Sequence, residues 1–289
     1  MAIRLLAALI ALGLLHLQPQ LAHWRGDGGF RRWVRQLADT SGPGRVLLTV
    51  LVPVALCAVV VWLLQRLPLA DLLQLVFALV ILLFSFGPHA FEADLDAILR
   101  APDQNSREIA AQALGDDGEI IPWRTADLGE ATVYAALRRR FGVLLWFFLL
   151  GPVGALLYRL ARQLARDSSL MLDPGASTYA RYLANGLDWL PAQLMVFTLA
   201  LVGHWDAVIG AWRRWHQQAA PNNWYLSPPG FLGAAARADV LTDIEGGDGY
   251  TEERTDALQE LRRLRDALLR ALLAWLSVVA LIVMASWLH

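Results

Sequence analysis

The side chains that could carry chemistry in this sequence are histidines, one aspartate beside an apolar run, and clusters of arginine. The six histidines are His16, His23, His89, His204, His216 and His289. None belongs to the His-Glu-x-x-His pattern of a zinc enzyme, and neither a Gly-x-Ser-x-Gly turn nor a dinucleotide fingerprint occurs. We therefore expect no metal and no cofactor, and we assign no catalytic residues.

Three acidic residues follow His89 at a spacing of two, namely Glu92, Asp94 and Asp96. On a helix this spacing distributes carboxylates around the axis instead of bringing them together. We therefore predict a solvated helix face here and not a metal site.

Asp188 lies at the border of an apolar run, in Leu187-Asp188-Trp189-Leu190-Pro191. An acid at membrane depth is costly unless it is paired, and such acids often serve function. Alternatively, Asp188 is a helix N-cap with Pro191 in the first turn. The sequence leaves both interpretations open.

All 25 Lys+Arg residues are arginine. The lack of lysine excludes a P-loop and Schiff-base catalysis. Arg31-Arg32 and Arg138-Arg139-Arg140 both flank apolar runs, which predicts contacts with anionic lipid headgroups, each worth about 1 kcal/mol. An anionic or amphipathic small molecule is the alternative partner. The net charge of -1 gives no reason to expect a nucleic acid.

Composition indicates which elements must position these residues. Hydrophobic residues make up 56% of the 289-residue chain and charged residues 18%, against about 45–50% and about 25% in soluble domains. The excess is concentrated in runs near the length that a membrane helix needs. We predict one integral membrane domain over residues 1–289, all-α, with about five to six transmembrane helices. The expected spans are 2–17, 46–64, 69–86, 141–158, 188–204 and 268–288.

Two of these runs have a second interpretation. The first resembles a signal peptide, and we interpret it as an uncleaved anchor. The fifth has the shortest clean apolar stretch, so we expect it to tilt, to re-enter or to continue through His204 in a protein-lined setting.

The polar segments 18–45, 87–140 and 204–267 are rich in arginine, and six spans place them on one side, which should be cytoplasmic. An apolar stripe of Leu258, Leu261, Leu264 and Leu268 leads directly into the last span. We predict one continuous helix, whose stripe packs against the polar segments. Together they should form a small helical subdomain at the membrane surface.

Twelve tryptophans are many for this length, and several, such as Trp33, Trp62, Trp146 and Trp205, lie near the ends of predicted spans. An interfacial aromatic belt is the favoured interpretation. An aromatic wall for an amphipathic ligand is the alternative.

Short motifs resemble a known family. The run 187–194, followed by Gly203-His204, is similar to AmpE membrane proteins, as are His23-Trp24 and Phe30-Arg31-Arg32. The run Gly151-Pro152, ending at Tyr158-Arg159, resembles the wider CobD/CbiB superfamily of cobalamin-pathway amide synthases.

The resemblance implies a multi-pass protein of the bacterial inner membrane, linked with β-lactamase induction and cell-wall signalling. A CobD/CbiB-like amide-forming synthase is the alternative, with a pocket lined by His23, Asp188 and His204. The chain departs from the synthases at 134–140 and 162–165, where their polar side chains are replaced. The candidate ligand-binding residues are His23, Trp24, Arg31, Arg32, His89, Tyr158, Arg159, Asp188, Trp189 and His204.

Overall fold

The computed structural model describes residues 1–17, 28–87, 91–115, 120–219, 225–246 and 256–286, and all regular structure in these ranges is helical. The α-helices in chain order are α1 (Ala2–Leu17), α2 (Gly28–Gln36), α3 (Gly42–Leu64), α4 (Ala70–Ser85), α5 (Phe91–Arg100), α6 (Gln104–Ala111), α7 (Thr125–Ala136), α8 (Gly142–Leu150), α9 (Pro152–Arg166), α10 (Pro174–Val202), α11 (Trp205–Gln218), α12 (Gly230–Gly246) and α13 (Ala257–Ala285). A π-helical turn, Leu137–Phe141, joins α7 to α8. The all-α prediction is confirmed.

Three described helices, α3, α10 and α13, are long and apolar enough to cross a membrane, judged by length and composition. Helices α1 and α4 are also apolar, but each has 16 residues, fewer than the roughly 20 that a span requires. The expected count of five to six transmembrane helices is therefore not confirmed.

The stretch 141–158 was expected as one span, and the structure divides it. Helix α8 ends at Leu150, and Gly151 has a φ of 70° before Pro152 opens α9. A left-handed glycine followed by proline at the first helical position ends one helix and starts another. The guanidinium of Arg4 donates to the carbonyls of Phe148 (2.8 Å) and Leu149 (3.0 Å), which the end of α8 leaves without helical partners.

The expected fifth span, 188–204, is part of a longer helix, the 29-residue α10. The N-cap interpretation of Asp188 is wrong, because Asp188 lies in the middle of α10 and is only 1% exposed. Pro191 lacks the N–H that would bond the carbonyl of Leu187 four residues earlier. The indole Nε1–H of Trp146 donates to that carbonyl at 3.0 Å and takes the missing place.

The continuous last helix is confirmed over α13. The predicted stripe faces inward, with Leu261, Leu264 and Leu268 buried.

The described fold contains two compact units. Unit 1 contains residues 1–90, 142–187 and 278–289, and unit 2 contains residues 91–141 and 188–277. In unit 1 a buried apolar cluster joins α2, α3 and α9 to the start of α10; its members include Val34, Val46, Val50, Leu160, Leu164 and Ala176.

One carboxylate in unit 1 serves the beginnings of two helices. Asp173 accepts the backbone N–H of Ala176 in α10 at 3.0 Å and that of Gly42 in α3 at 3.2 Å. The guanidinium of Arg45 lies 3.6 Å from its other oxygen. The N–H of Ala176, followed by that of Gly42 and the charge of Arg45, holds the pKa of Asp173 below its usual range.

Several tryptophans act as internal hydrogen-bond donors. Trp33 donates to the carbonyl of Thr49 at 3.2 Å, and Trp275 donates to the hydroxyl of Thr198 at 3.0 Å. Trp62 and Trp205, by contrast, are about half exposed. The aromatic belt therefore fits these two, whereas Trp33 and Trp146 join helix to helix.

We predict that Trp146→Phe lowers the free energy of unfolding by about 1 kcal/mol, because it leaves the carbonyl of Leu187 without a donor. Thermal unfolding of the full chain in one detergent would measure the loss. Trp62→Phe is the matched control and should change little, since Trp62 is 50% exposed.

A double-mutant cycle separates this bond from the loss of ring area. In Pro191→Ala the new N–H can bond the Leu187 carbonyl, so the added cost of Trp146→Phe should shrink. An equal cost in both backgrounds would show that the indole does not compensate for the proline.

Candidate ligand pocket

The candidate site lies in unit 2, where polar side chains from two helices and one junction meet. Helix α10 ends at Val202, and Gly203-His204 connects it to α11. Asp239 and Asp243 stand one turn apart on α12, and Glu260 lies in the first turn of α13. Residues four apart on a helix share a face, so both aspartates point the same way.

The closest contact is between His204 and Asp239. The carboxylate of Asp239 accepts the backbone N–H of His204 at 2.9 Å and lies 3.1 Å from its ring Nδ1. The other ring nitrogen, Nε2, is 3.7 Å from the Asp243 carboxylate. Asp239 is buried, and two contacts to one residue offset the cost of burying its charge.

Gly203 is required by this arrangement. A Cβ at position 203 would stand 2.5 Å from the nearer carboxylate oxygen of Asp239, which is closer than side-chain carbons approach oxygens. The Gly203-His204 motif of the sequence thus has a structural reason: the glycine admits the carboxylate that the histidine binds.

Helix α13 contributes a second ion-paired group. Arg263 donates to Glu260 at 3.1 Å and lies 3.8 Å from Asp243. The Glu260 side chain is 7% exposed, whereas that of Asp243 is 30% exposed. Both ion pairs of Asp243 are longer than a hydrogen bond, so its carboxylate keeps room for another donor.

These side chains surround a cavity of about 600 Å³, which Asp266 and Arg270 also line. The volume falls in the usual range of small-molecule sites. Among the described residues that line it there is no Ser, Thr or Cys to act as a nucleophile. Nowhere in the described ranges do three His, Cys, Asp or Glu side chains have the arrangement of a metal site. The geometry suits binding.

A second network in unit 2 fixes the state of His216. The donor-only indole N–H of Trp212 bonds Oε1 of Gln193 at 2.8 Å, so the amide nitrogen of Gln193 faces His216 Nε2 at 3.3 Å. His216 Nε2 must then accept, and Nδ1 donates to the Trp212 carbonyl at 2.8 Å. The network thus places a ring proton of His216 on Nδ1, and the ring packs against those of Trp215 and Phe231.

The sequence-based candidates lie in several places. His204 lines the cavity, and Asp188 and Trp189 lie far from it along α10. From Asp188 to the end of the helix at Val202 the axis extends about 21 Å, at 1.5 Å per residue. The structure thus does not bring Asp188 and His204 into one pocket. His23, Trp24 and His89 are outside the described residues.

The remaining candidates that the structure describes belong to unit 1. Arg31 pairs with Asp167 at 3.0 Å, whereas Arg32 is exposed. Tyr158 is 1% exposed and fills the space beside Gly142, where a Cβ would meet its ring at 2.3 Å. The guanidinium of Arg159 lies against Gly87, which has a φ of 76°.

Two expectations about charge do not hold where α5 meets the π-helical turn. Arg139 and Arg140 form ion pairs with Asp94 and Glu92, and their side chains are only 9% and 11% exposed. Burial lowers the pKa of Arg140, and the charge of Glu92 opposes that shift. The guanidinium groups of Arg139 and Arg140 therefore pair with protein carboxylates where lipid headgroups were expected, and Glu92 and Asp94 are partly buried, with side chains 28% and 15% exposed, where a solvated face was expected.

Sequence reasoning missed six charged residues of the pocket: Asp239, Asp243, Glu260, Arg263, Asp266 and Arg270. The spacing of four between Asp239 and Asp243 was the available signal, because it indicates a shared helix face. Nothing local linked that face to His204, which lies 35 positions earlier than Asp239.

An all-helical chain with three apolar helices of spanning length, and a polar cavity in its second unit, defines a helical membrane protein with a candidate ligand site. The family described as "Regulatory signalling modulator protein AmpE" matches residues 3–220. The chain therefore belongs to the AmpE family, as the sequence motifs suggested. The matched range includes Gly203-His204 and ends before α12.

A curated relative, "Cobalamin biosynthesis protein CobD" of Chromobacterium violaceum, is 28% identical, over 83% of this chain and 81% of that protein. No solved structure matches the chain. The relationship to CobD expected from the motifs is confirmed, and the family supports the regulatory membrane-protein interpretation.

We predict that Gly203→Ala lowers the free energy of unfolding by about 1–3 kcal/mol, because the new methyl displaces a buried carboxylate from its donors. Thermal unfolding of the full chain measures the effect. Gly246→Ala is the matched control, since a Cβ there meets no atom within 4 Å. Equal stability of the two variants would contradict the close approach of Asp239.

Proposed function

We propose that this protein is a regulatory protein of the bacterial inner membrane that takes part in β-lactamase induction and cell-wall signalling. The observation that carries the proposal is the AmpE family match over residues 3–220. The three apolar helices of spanning length support a multi-pass membrane location. The proposed number of membrane crossings is five to six, with α1 and α4 among them.

The pocket of unit 2 supports a role that depends on binding. Its polar groups are held in place by ion pairs and hydrogen bonds, and its volume suits a small molecule. Its described lining contains no Ser, Thr or Cys, which favours recognition of a ligand over covalent chemistry on a hydroxyl or thiol. We propose that occupancy of this pocket is the signal that the protein reports.

The cytoplasmic side is proposed for segments 18–45, 87–140 and 204–267, on the basis of their arginines. The loop between α3 and α4 would then face the periplasm. This arrangement would place the pocket of unit 2, which is built largely from residues 204–267, in contact with cytoplasmic solutes.

Cysteine labelling tests the orientation. In a Cys57→Ser background, Leu67→Cys (wild-type Leu67 is 49% exposed) should react with a membrane-impermeant maleimide on intact spheroplasts. Ile109→Cys, at a position where the side chain is 67% exposed, should react only after lysis. The reverse pattern would show that the orientation is inverted.

Deletion tests the function. We expect loss of the protein to change β-lactam-induced β-lactamase expression, and the wild-type gene to restore the response. Asp239→Asn should fail to restore it, because the amide cannot accept from His204 as a charged carboxylate does. Glu245→Gln, on an exposed part of the same helix, is the matched control and should restore it.

Protein levels in the membrane must be equal for this comparison, which immunoblotting checks. An unchanged response in the deletion strain would rule out the proposed regulatory role.

A further inference from the structure

The charge of the pocket lining indicates the kind of molecule that the pocket takes. Four carboxylates line it, from Asp239, Asp243, Glu260 and Asp266, against two guanidinium groups, from Arg263 and Arg270. An enclosed site with an excess of one sign of charge concentrates ligands of the opposite sign. Anions are therefore disfavoured at this site.

The internal contacts leave one carboxylate most available. Asp239 is engaged by two groups of His204, and Glu260 accepts a hydrogen bond from Arg263 at 3.1 Å. Among the described residues, Asp243 has two longer contacts, at 3.7 Å to His204 and 3.8 Å to Arg263, and its side chain is 30% exposed. An incoming N–H donor can approach it to normal hydrogen-bond distance.

The remaining lining is apolar. Val202, Val240, Leu264 and Leu269 contribute to the same cavity. A ligand with an apolar portion gains binding free energy when that portion is buried there, while its charged group contacts the carboxylates. The lining thus suits an organic cation better than a hydrated metal ion.

We propose that the pocket binds a small organic molecule that carries an ammonium group, with that group at Asp243 and the adjoining carboxylates. The proposal rests on the proposed function only in taking this cavity as the site of regulation. It differs from the earlier alternative of an anionic ligand, whose basis was the arginine clusters at 31–32 and 138–140. Arg139 and Arg140 are paired with acids of α5, and Arg31 is paired with Asp167.

Three probes of equal chain length test the sign of charge: 1,6-diaminohexane, adipate and 1,6-hexanediol. Each is titrated into the purified full-length protein in nanodiscs of neutral lipid, and isothermal titration calorimetry at low ionic strength measures the binding. We expect the diamine to bind at least about tenfold more tightly than the diol, and adipate to bind more weakly than either. Adipate binding as tightly as the diamine, or no binding of the diamine, overturns the proposal.

Variants locate the binding. Asp243→Asn should weaken binding of the diamine about tenfold. Glu245→Gln should leave that binding unchanged, although it also removes one negative charge from α12. Arg270→Gln should strengthen binding of the diamine several-fold, because it removes a positive charge from the lining. A damaged fold cannot produce that gain, so this variant keeps the test valid if Asp243→Asn is unstable.

Equal losses in Asp243→Asn and Glu245→Gln would show that the diamine senses overall charge and not the pocket, and would overturn the assignment. The binding result is independent of the deletion experiment. The diamine can bind in a protein that does not affect β-lactamase expression, and the regulatory role can hold with a ligand of another charge. The two failures are therefore distinguishable.

Discussion

The constraint on which the structure depends is the pairing of buried arginine. The sequence contains arginine but no lysine. The guanidinium group of arginine stays charged in almost any surrounding. A buried charge without a partner costs several kcal/mol, so each buried arginine must bring a carboxylate with it. Arg139 and Arg140 draw the acids of α5 to the π-helical turn, and Arg45 draws Asp173 to the first turn of α3. These pairings join α5 to the π-helical turn and the segment before α10 to the start of α3.

The apolar helices were largely predictable, because hydropathy and period are local properties. The continuous α13 follows from its leucine stripe and the run after it. The break between α8 and α9 was not predicted, although Gly151-Pro152 was visible, because a hydropathy window scores glycine without regard to its backbone conformation. The start of α10 was also misplaced: Pro191 suggested a beginning, but Trp146 supplies a donor that lets the helix continue through it.

The pocket was predictable only in part, and the reason is distance along the chain. His204 was found through its motif, whereas the acids that give the pocket its character lie 35 or more positions later. Arginine clusters pose the same difficulty: a guanidinium beside an apolar run suits lipid phosphate and a distant carboxylate equally well. Asp94 lies 45 positions before Arg139, and no local pattern connects them. Asp188 was ambiguous for a similar reason, since its place in the middle of α10 depends on residues before Pro191.

Helix α13 carries Glu260 and Arg263 near one end and a purely apolar sequence at the other, with no glycine or proline between them. Such a helix is stiff, and its 29 residues extend about 43 Å. A tilt of about 5° at the Glu260 end therefore displaces the far end by about 4 Å. A rigid helix of this length amplifies a small rotation at one end into a larger displacement at the other. A change in contacts near Glu260 that leaves the fold intact can therefore move the Ala285 end by about the width of a methyl group.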